Sequence, residues 1–197
     1  VPGNERLLNL AVRVLEKEIM QESMRPGSKR LAVVVCAARS AQHVQDFIVL
    51  AQQAGWDVYV VATPKACAFI DQPLLQQITQ HSVEIYASPA SFLLSSQPHA
   101  VVVVPATFNT LQKWAQGEAD TFALQLLTSW DASTIPILAV PRASKELAQE
   151  LTFFPSLASL AQRGVHVLYE PDIYPPNNAV PWDVILATLQ QLDLAGV

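Results

Sequence analysis

Six glycines and two cysteines in 197 residues leave several architectures without their raw material. No glycine lies in the turn after the first predicted strand, which reads Ala37-Ala38-Arg39-Ser40-Ala41. That excludes a G-x-G-x-x-G dinucleotide loop and a Walker A loop. A G-x-S-x-G nucleophile elbow is missing as well, which argues against an α/β-hydrolase. Cys36 and Cys67 make neither a CxxC nor a disulfide framework. They read as buried thiols of a reducing compartment, and the expected localisation is cytoplasmic. His43, His81, His99 and His166 show no metal-ligand spacing, so no metal is expected. Twelve Lys and Arg are scattered, with no cluster beyond Lys29–Arg30, which argues against nucleic acid and against a polybasic membrane patch. The longest apolar runs, Leu31–Ala38 and Ala100–Ala106, fall well short of the roughly 18 residues of a membrane span. No signal peptide is visible.

What remains is strongly apolar. Hydrophobic residues make up 51% of the chain and charged residues 15%, against about 25% charged in an average soluble protein. Disorder is excluded, and the surplus predicts apolar surface covered by a second subunit. Short β-branched runs without polar alternation read as strands buried on both faces: Leu31–Cys36, Asp57–Ala62, Ala100–Val104, Ile135–Val140 and Val165–Tyr169, with Val83–Tyr86 a weaker one. Between them the spacing predicts helices over Ala41–Ala54, Pro73–Gln80, Thr110–Trp130, Lys145–Arg163 and Trp182–Leu192. This alternation predicts a single α/β domain of three layers, flavodoxin-like, with a mostly parallel sheet of five to six strands. An amphipathic helix over Arg6–Met24 and a linker precede it, so that 1–30 stands apart from 31–197. The proline-rich stretch 171–181 reads as a flap.

In an open parallel sheet, ligands bind beyond the carboxyl ends of the strands. The polar groups placed there are Arg39, Ser40, Thr63, Lys65, Thr107, Asn109, Thr110, Arg142, Ser144 and Tyr174. Hydroxyls beside free helix N–H groups make an anion site. For any one of them ordinary N-capping is the better explanation; several converging on one sheet edge favour a phosphorylated ligand.

The stretch Pro105–Asp120, PATFNTLQKWAQGEAD, resembles the P-x-S-A-N-T-L-x-K-x-A-x-G-x-x-D signature of the flavin-containing cysteine decarboxylase superfamily. Pro105, Asn109, Thr110, Leu111, Lys113, Ala115, Gly117 and Asp120 match, and Thr107 replaces a serine. The wording P-A-T-F-N-T is closest to uncharacterised bacterial flavoproteins. The resemblance implies FMN as cofactor, with its phosphate near Arg39, Ser40 and Thr63. It implies that Thr107, Phe108, Asn109 and Thr110 contact flavin and substrate, with Asn109 gripping a substrate carboxylate as the catalytic residue. Phe108 would offer an apolar face to the flavin ring or, equally, pack into the core. A small-molecule or peptide substrate and a trimeric assembly, or a multiple of trimers, are implied too. The apolar side chains of Thr110–Trp130 are expected to contribute to that assembly.

The departures from the signature are informative. The decarboxylases carry a catalytic His whose place here falls near Ser91, and His99 is a poor substitute. Their P-x-M-N after the fifth strand is replaced by Pro141-Arg142-Ala143-Ser144, and no cysteine follows Cys67 to act from a flap. Val140-Pro141-Arg142 and the P-x-x-Y at Pro171–Tyr174 resemble the flavin prenyltransferases instead, which implies Arg142 on a phosphate, with Ser144 and Tyr174 toward substrate. A lyase or oxidoreductase, a prenyltransferase, and a non-catalytic flavin-binding accessory protein all stay open at this point.

Overall fold

The computed structural model describes residues 29–89, 92, 97–175 and 179–195. The helix expected over Arg6–Met24 and residues 176–178 of the flap lie outside these. Strands β1 (Lys29–Val35), β2 (Trp56–Ala62), β3 (Ala100–Ala106), β4 (Ile137–Pro141) and β5 (His166–Val167) form one sheet in the order β2-β1-β3-β4-β5. Every pairing is parallel, with Val33 opposite Val60 on one side and Val102 on the other. The helices are α1 (Val44–Gln53), α2 (Gln72–Thr79), α3 (Phe108–Gln116), α4 (Phe122–Ser129), the single-turn α5 (Lys145–Ala148), α6 (Phe153–Gln162) and α7 (Trp182–Ala195).

Side chains on a strand alternate between the two faces, so each strand serves two cores. Leu31, Val33 and Val35 pack with Phe47 and Ile48 of α1, Leu75 of α2 and Ile185 of α7. Ala32, Val34 and Cys36 pack with Leu111 and Trp114 of α3, Leu127 of α4 and Phe153 of α6. The flavodoxin-like three-layer domain is thus present, with five strands. Fully burying each such large side chain contributes about 1.5–3 kcal/mol, which is why runs without polar alternation end up sandwiched between helices. The strand order changes direction between β1 and β3, and a crevice opens at such a point.

Three expectations need correction. The helix expected over Thr110–Trp130 is two helices. Gly117 ends α3 in a left-handed conformation (φ 77°), and Thr121 restarts the chain as α4 by accepting a hydrogen bond from Leu124 N. The helix expected over Lys145–Arg163 is likewise interrupted, because Pro155 is tolerated only in the first turn of a helix, and α6 begins at Phe153. Val83–Tyr86 makes only a single bridge, from Glu84 to Val61. The apolar side chains of Thr110–Trp130 also have a different fate from the one expected. Trp114, Phe122, Leu124, Leu126 and Leu127 are all buried within the chain itself. Splitting the segment lets both halves turn their apolar faces onto the sheet. No helix among the described residues is long and apolar enough to cross a membrane.

Candidate functional site

Ala37 after β1, Thr63 after β2 and Thr107 after β3 border one open cleft of 690 Å³. That lies within the range of roughly 300–1,000 Å³ typical of ligand sites. The cleft continues along α3 past Asn109, Thr110, Gln112, Lys113 and Gln116 to Glu118, Asp120, Thr121 and Leu124. The amphipathic pattern of α3 produces this wall. Leu111 and Trp114 turn to the core, and Asn109, Gln112, Lys113 and Gln116 fall on the opposite, polar stripe.

Thr107 holds the N-cap position of α3 with extended backbone (φ −85°, ψ 155°), yet its hydroxyl makes no cap hydrogen bond. It lies 3.0 Å from the Thr110 hydroxyl instead. The Cys36 thiol, fully buried at the end of β1, neighbours this pair. Burial pushes the thiol pKa up, and the polar groups of Thr110 and Thr107 only partly oppose it. Thr63 similarly heads the 3-10 turn Pro64–Ala68 with extended backbone and no side-chain cap bond. The N–H groups of the first turn of α3 have no intrahelical acceptor, and Thr107 does not provide one. Asn109 is exposed to the cleft, and its amide makes no side-chain hydrogen bond among the described residues. Hydroxyls, an amide and helix N–H groups are the donors and acceptors that a phosphorylated polar ligand needs, so these residues fit FMN.

Charge is distributed unevenly. At the far end of α3, Lys113 pairs with Asp120 and lies 3.8 Å from Glu118. The Asp120 hydrogen bond holds the Lys113 ammonium above its ordinary pKa. Lys65 stands at the other wall, beside Thr63.

Of the residues expected from sequence, Thr63, Lys65, Thr107, Asn109 and Thr110 share this cleft. The others lie elsewhere. Arg39 is exposed and Ser40 half-buried, both on the 3-10 turn Arg39–His43, outside the cleft lining. Phe108 stacks on Phe153 at 6.1 Å with an interplanar angle of 29°, so its ring serves the packing of α3 against α6. The Arg142 side chain is buried after β4, and desolvation lowers its pKa. Its backbone N–H bonds Ala106 O at 2.9 Å, next to the start of the Thr107 segment, but the residue does not line the cleft. Ser144 is an ordinary N-cap, accepting from Leu147 N at 3.3 Å. Tyr174 is half-buried, its N–H bonded to Glu170 O. None of the four histidines lines the cleft. His99 Nδ1 accepts the Arg30 N–H at 2.9 Å at the opposite edge of the sheet, where β3 begins. Sequence reasoning missed Gln112, Gln116 and Leu124, although the polar stripe of α3 carried the signal for the two glutamines.

Comparison with curated proteins gives no match. Solved structures give several. A structure described as the FMN-dependent cysteine decarboxylase TvaF from thioviridamide biosynthesis is similar with a TM-score of 0.71 and 20% identity, over 85% of this chain and 99% of that one. A PPC decarboxylase mutant complexed with pantothenoylaminoethenethiol gives 0.70 and 17%, over 84% and 98%. The FMN binding protein AtHal3 gives 0.72 and 15%, over 87% and 100%. At these identities the likeness carries the fold. Membership rests on the match to the model of the family described as Flavoprotein, which spans residues 19–193, and this chain belongs to that family.

Proposed function

We propose that the protein binds FMN in the cleft between the ends of β1, β2 and β3 and is a flavin-dependent enzyme allied to the cysteine decarboxylases. The observation that carries this reading is the convergence of Thr63, Thr107, Asn109 and Thr110 on one cleft, with the Thr107 hydroxyl making no cap bond to the N–H groups of its helix. The FMN named for TvaF and AtHal3, which share the fold, supports it. Thr63, Thr107, Thr110 and the first-turn N–H groups of α3 would hold polar groups of the cofactor, and Asn109 would orient a substrate carboxylate through its amide N–H. Bound FMN would supply a two-electron acceptor. The chain's own residues furnish binding and orientation; none of its four histidines borders the cleft to move a proton. The expected reaction is therefore not turnover of phosphopantothenoylcysteine at a decarboxylase rate. Losing one acid–base group typically costs about 10²- to 10⁴-fold.

Self-association, with a trimer expected, belongs to the same proposal. Exposed Leu151 between α5 and α6, exposed Phe154 in the first turn of α6, and exposed Ile173 supply apolar surface for it. The two free cysteines suit a reducing cytoplasm. The test is flavin mass spectrometry of the purified protein together with FMN titration of the apoprotein. One FMN per chain at micromolar affinity is expected, and no binding by either measurement refutes the reading. Carbon dioxide release from cysteine-ended peptides under anaerobic single-turnover conditions then separates an active decarboxylase from a flavin-binding accessory protein. Light scattering of the flavin-loaded protein tests the assembly; a 21.5 kDa monomer would refute it.

A further inference from the structure

The cleft carries four charged side chains, and three of them are committed to one another. Lys113 is held by Asp120 and Glu118 at the turn between α3 and α4, which leaves that end of the cleft with a net negative charge. Lys65 is the fourth. It is exposed, it lines the cleft beside Thr63, and among the described residues it forms no ion pair. Its place is fixed from below. Pro64 opens the turn, Ala66 is fully buried, and Ala66 N and Phe69 N bond Thr63 O and Ala66 O at 2.8 Å. Arg39, the cation expected near a phosphate, does not line the cleft.

We infer that Lys65 is the charge-recognition residue of this cleft, pairing its ammonium with the ligand's phosphate and so selecting phosphorylated over unphosphorylated flavin. The inference rests on the reading of the cleft as a flavin site. An exposed ammonium facing a phosphate gains modestly, because solvent and salt screen it, but the phosphate carries more than one charge. The side chain is exposed, so pairing it with a ligand takes no buried group out of the core. The neutral ring and ribityl portions common to FMN and riboflavin fall to Thr107, Asn109, Thr110 and the glutamines of α3.

The experiment titrates the apoprotein with FMN and with riboflavin, following flavin fluorescence at low and at moderate salt. Lys65→Met should weaken FMN roughly tenfold while leaving riboflavin within about twofold. It should also flatten the salt dependence of FMN binding, and Lys65→Arg should restore both. Melting temperature should not move in either variant. The inference is overturned if Lys65→Met leaves FMN affinity unchanged, or if it weakens both flavins by the same factor. Equal affinity of the wild-type protein for FMN and riboflavin overturns it too, while leaving the flavin reading intact. Binding of neither flavin by the wild type overturns both.

Discussion

Replacing Thr107 with Ala asks whether its hydroxyl serves the ligand or the helix. At an ordinary N-cap the change costs about 1 kcal/mol through the lost cap bond. Thr107 makes no cap bond, so that cost is absent. What disappears is the 3.0 Å contact with the Thr110 hydroxyl, a partly buried interaction. Its loss is worth about 1 kcal/mol, or roughly 2–4 °C in Tm for a domain of this size. Asp71→Ala is the matched control. Asp71 caps α2 by accepting from Leu74 N at 3.0 Å, away from the cleft, and its loss costs about the same. The two variants should therefore melt alike and bind differently. Thr107→Ala removes a ligand hydrogen bond of about 0.5–1.5 kcal/mol if the acceptor is neutral, or roughly 2- to 12-fold in affinity, and more if it is charged. Asp71→Ala should leave FMN affinity at the wild-type value. Thr107→Ser, which keeps the hydroxyl, should restore binding. Calorimetric melting of the apoproteins and flavin titration give both numbers. Equal weakening of FMN in Thr107→Ala and Asp71→Ala would refute the assignment, since binding would then follow overall stability.

Two further outcomes follow from the packing. Alkylation of the native protein with iodoacetamide at pH 8 should label Cys67, which is half-buried, and spare Cys36, which is fully buried with its pKa raised; peptide mass spectrometry should show the second label only in denaturant. Gly117→Ala should lower Tm by roughly 2–4 °C, because a left-handed residue at φ 77° disfavours any Cβ by about 1 kcal/mol even where the surrounding space is open, and an unchanged Tm would contradict the role of Gly117 in ending α3.

The strands were legible because a run such as Leu31–Val35, with no polar alternation, has one stable environment, between two helical layers. The rule that ligands gather at strand ends points to Thr63, Thr107, Asn109 and Thr110, which share one cleft. The same rule also points to Arg39, Ser40, Ser144 and Tyr174, which lie outside this cleft lining, because sequence places a residue beyond a strand without saying how the following turn orients it. A tight 3-10 turn after β1 leaves Arg39 exposed outside the cleft, and Ser144 spends its hydroxyl on Leu147 N. Phe108 was decided by Phe153, a residue far along the chain, and no local pattern announces that partner. The breaks at Gly117 and Pro155 were readable, and helical periodicity wrongly prevailed over both punctuating residues.

The caps hold a contrast that periodicity could not show. Asp71, Thr121 and Ser144 precede their helices with extended backbone, and each accepts from a first-turn N–H. Thr63 and Thr107 have the same extended backbone and a suitable hydroxyl, and neither caps. Thr63 heads a 3-10 turn, where the pattern of free N–H groups differs, but Thr107 heads a regular α-helix. An unused cap there forgoes about 0.5–2 kcal/mol. The Thr107 hydroxyl turns instead to the Thr110 hydroxyl, 3.0 Å away. The helix then meets the cleft with its first-turn N–H groups uncapped by Thr107. A site that keeps donors unpaired in the free protein loses stability there and regains it when a ligand's oxygens arrive, which ties the folding of this helix terminus to occupancy of the cleft.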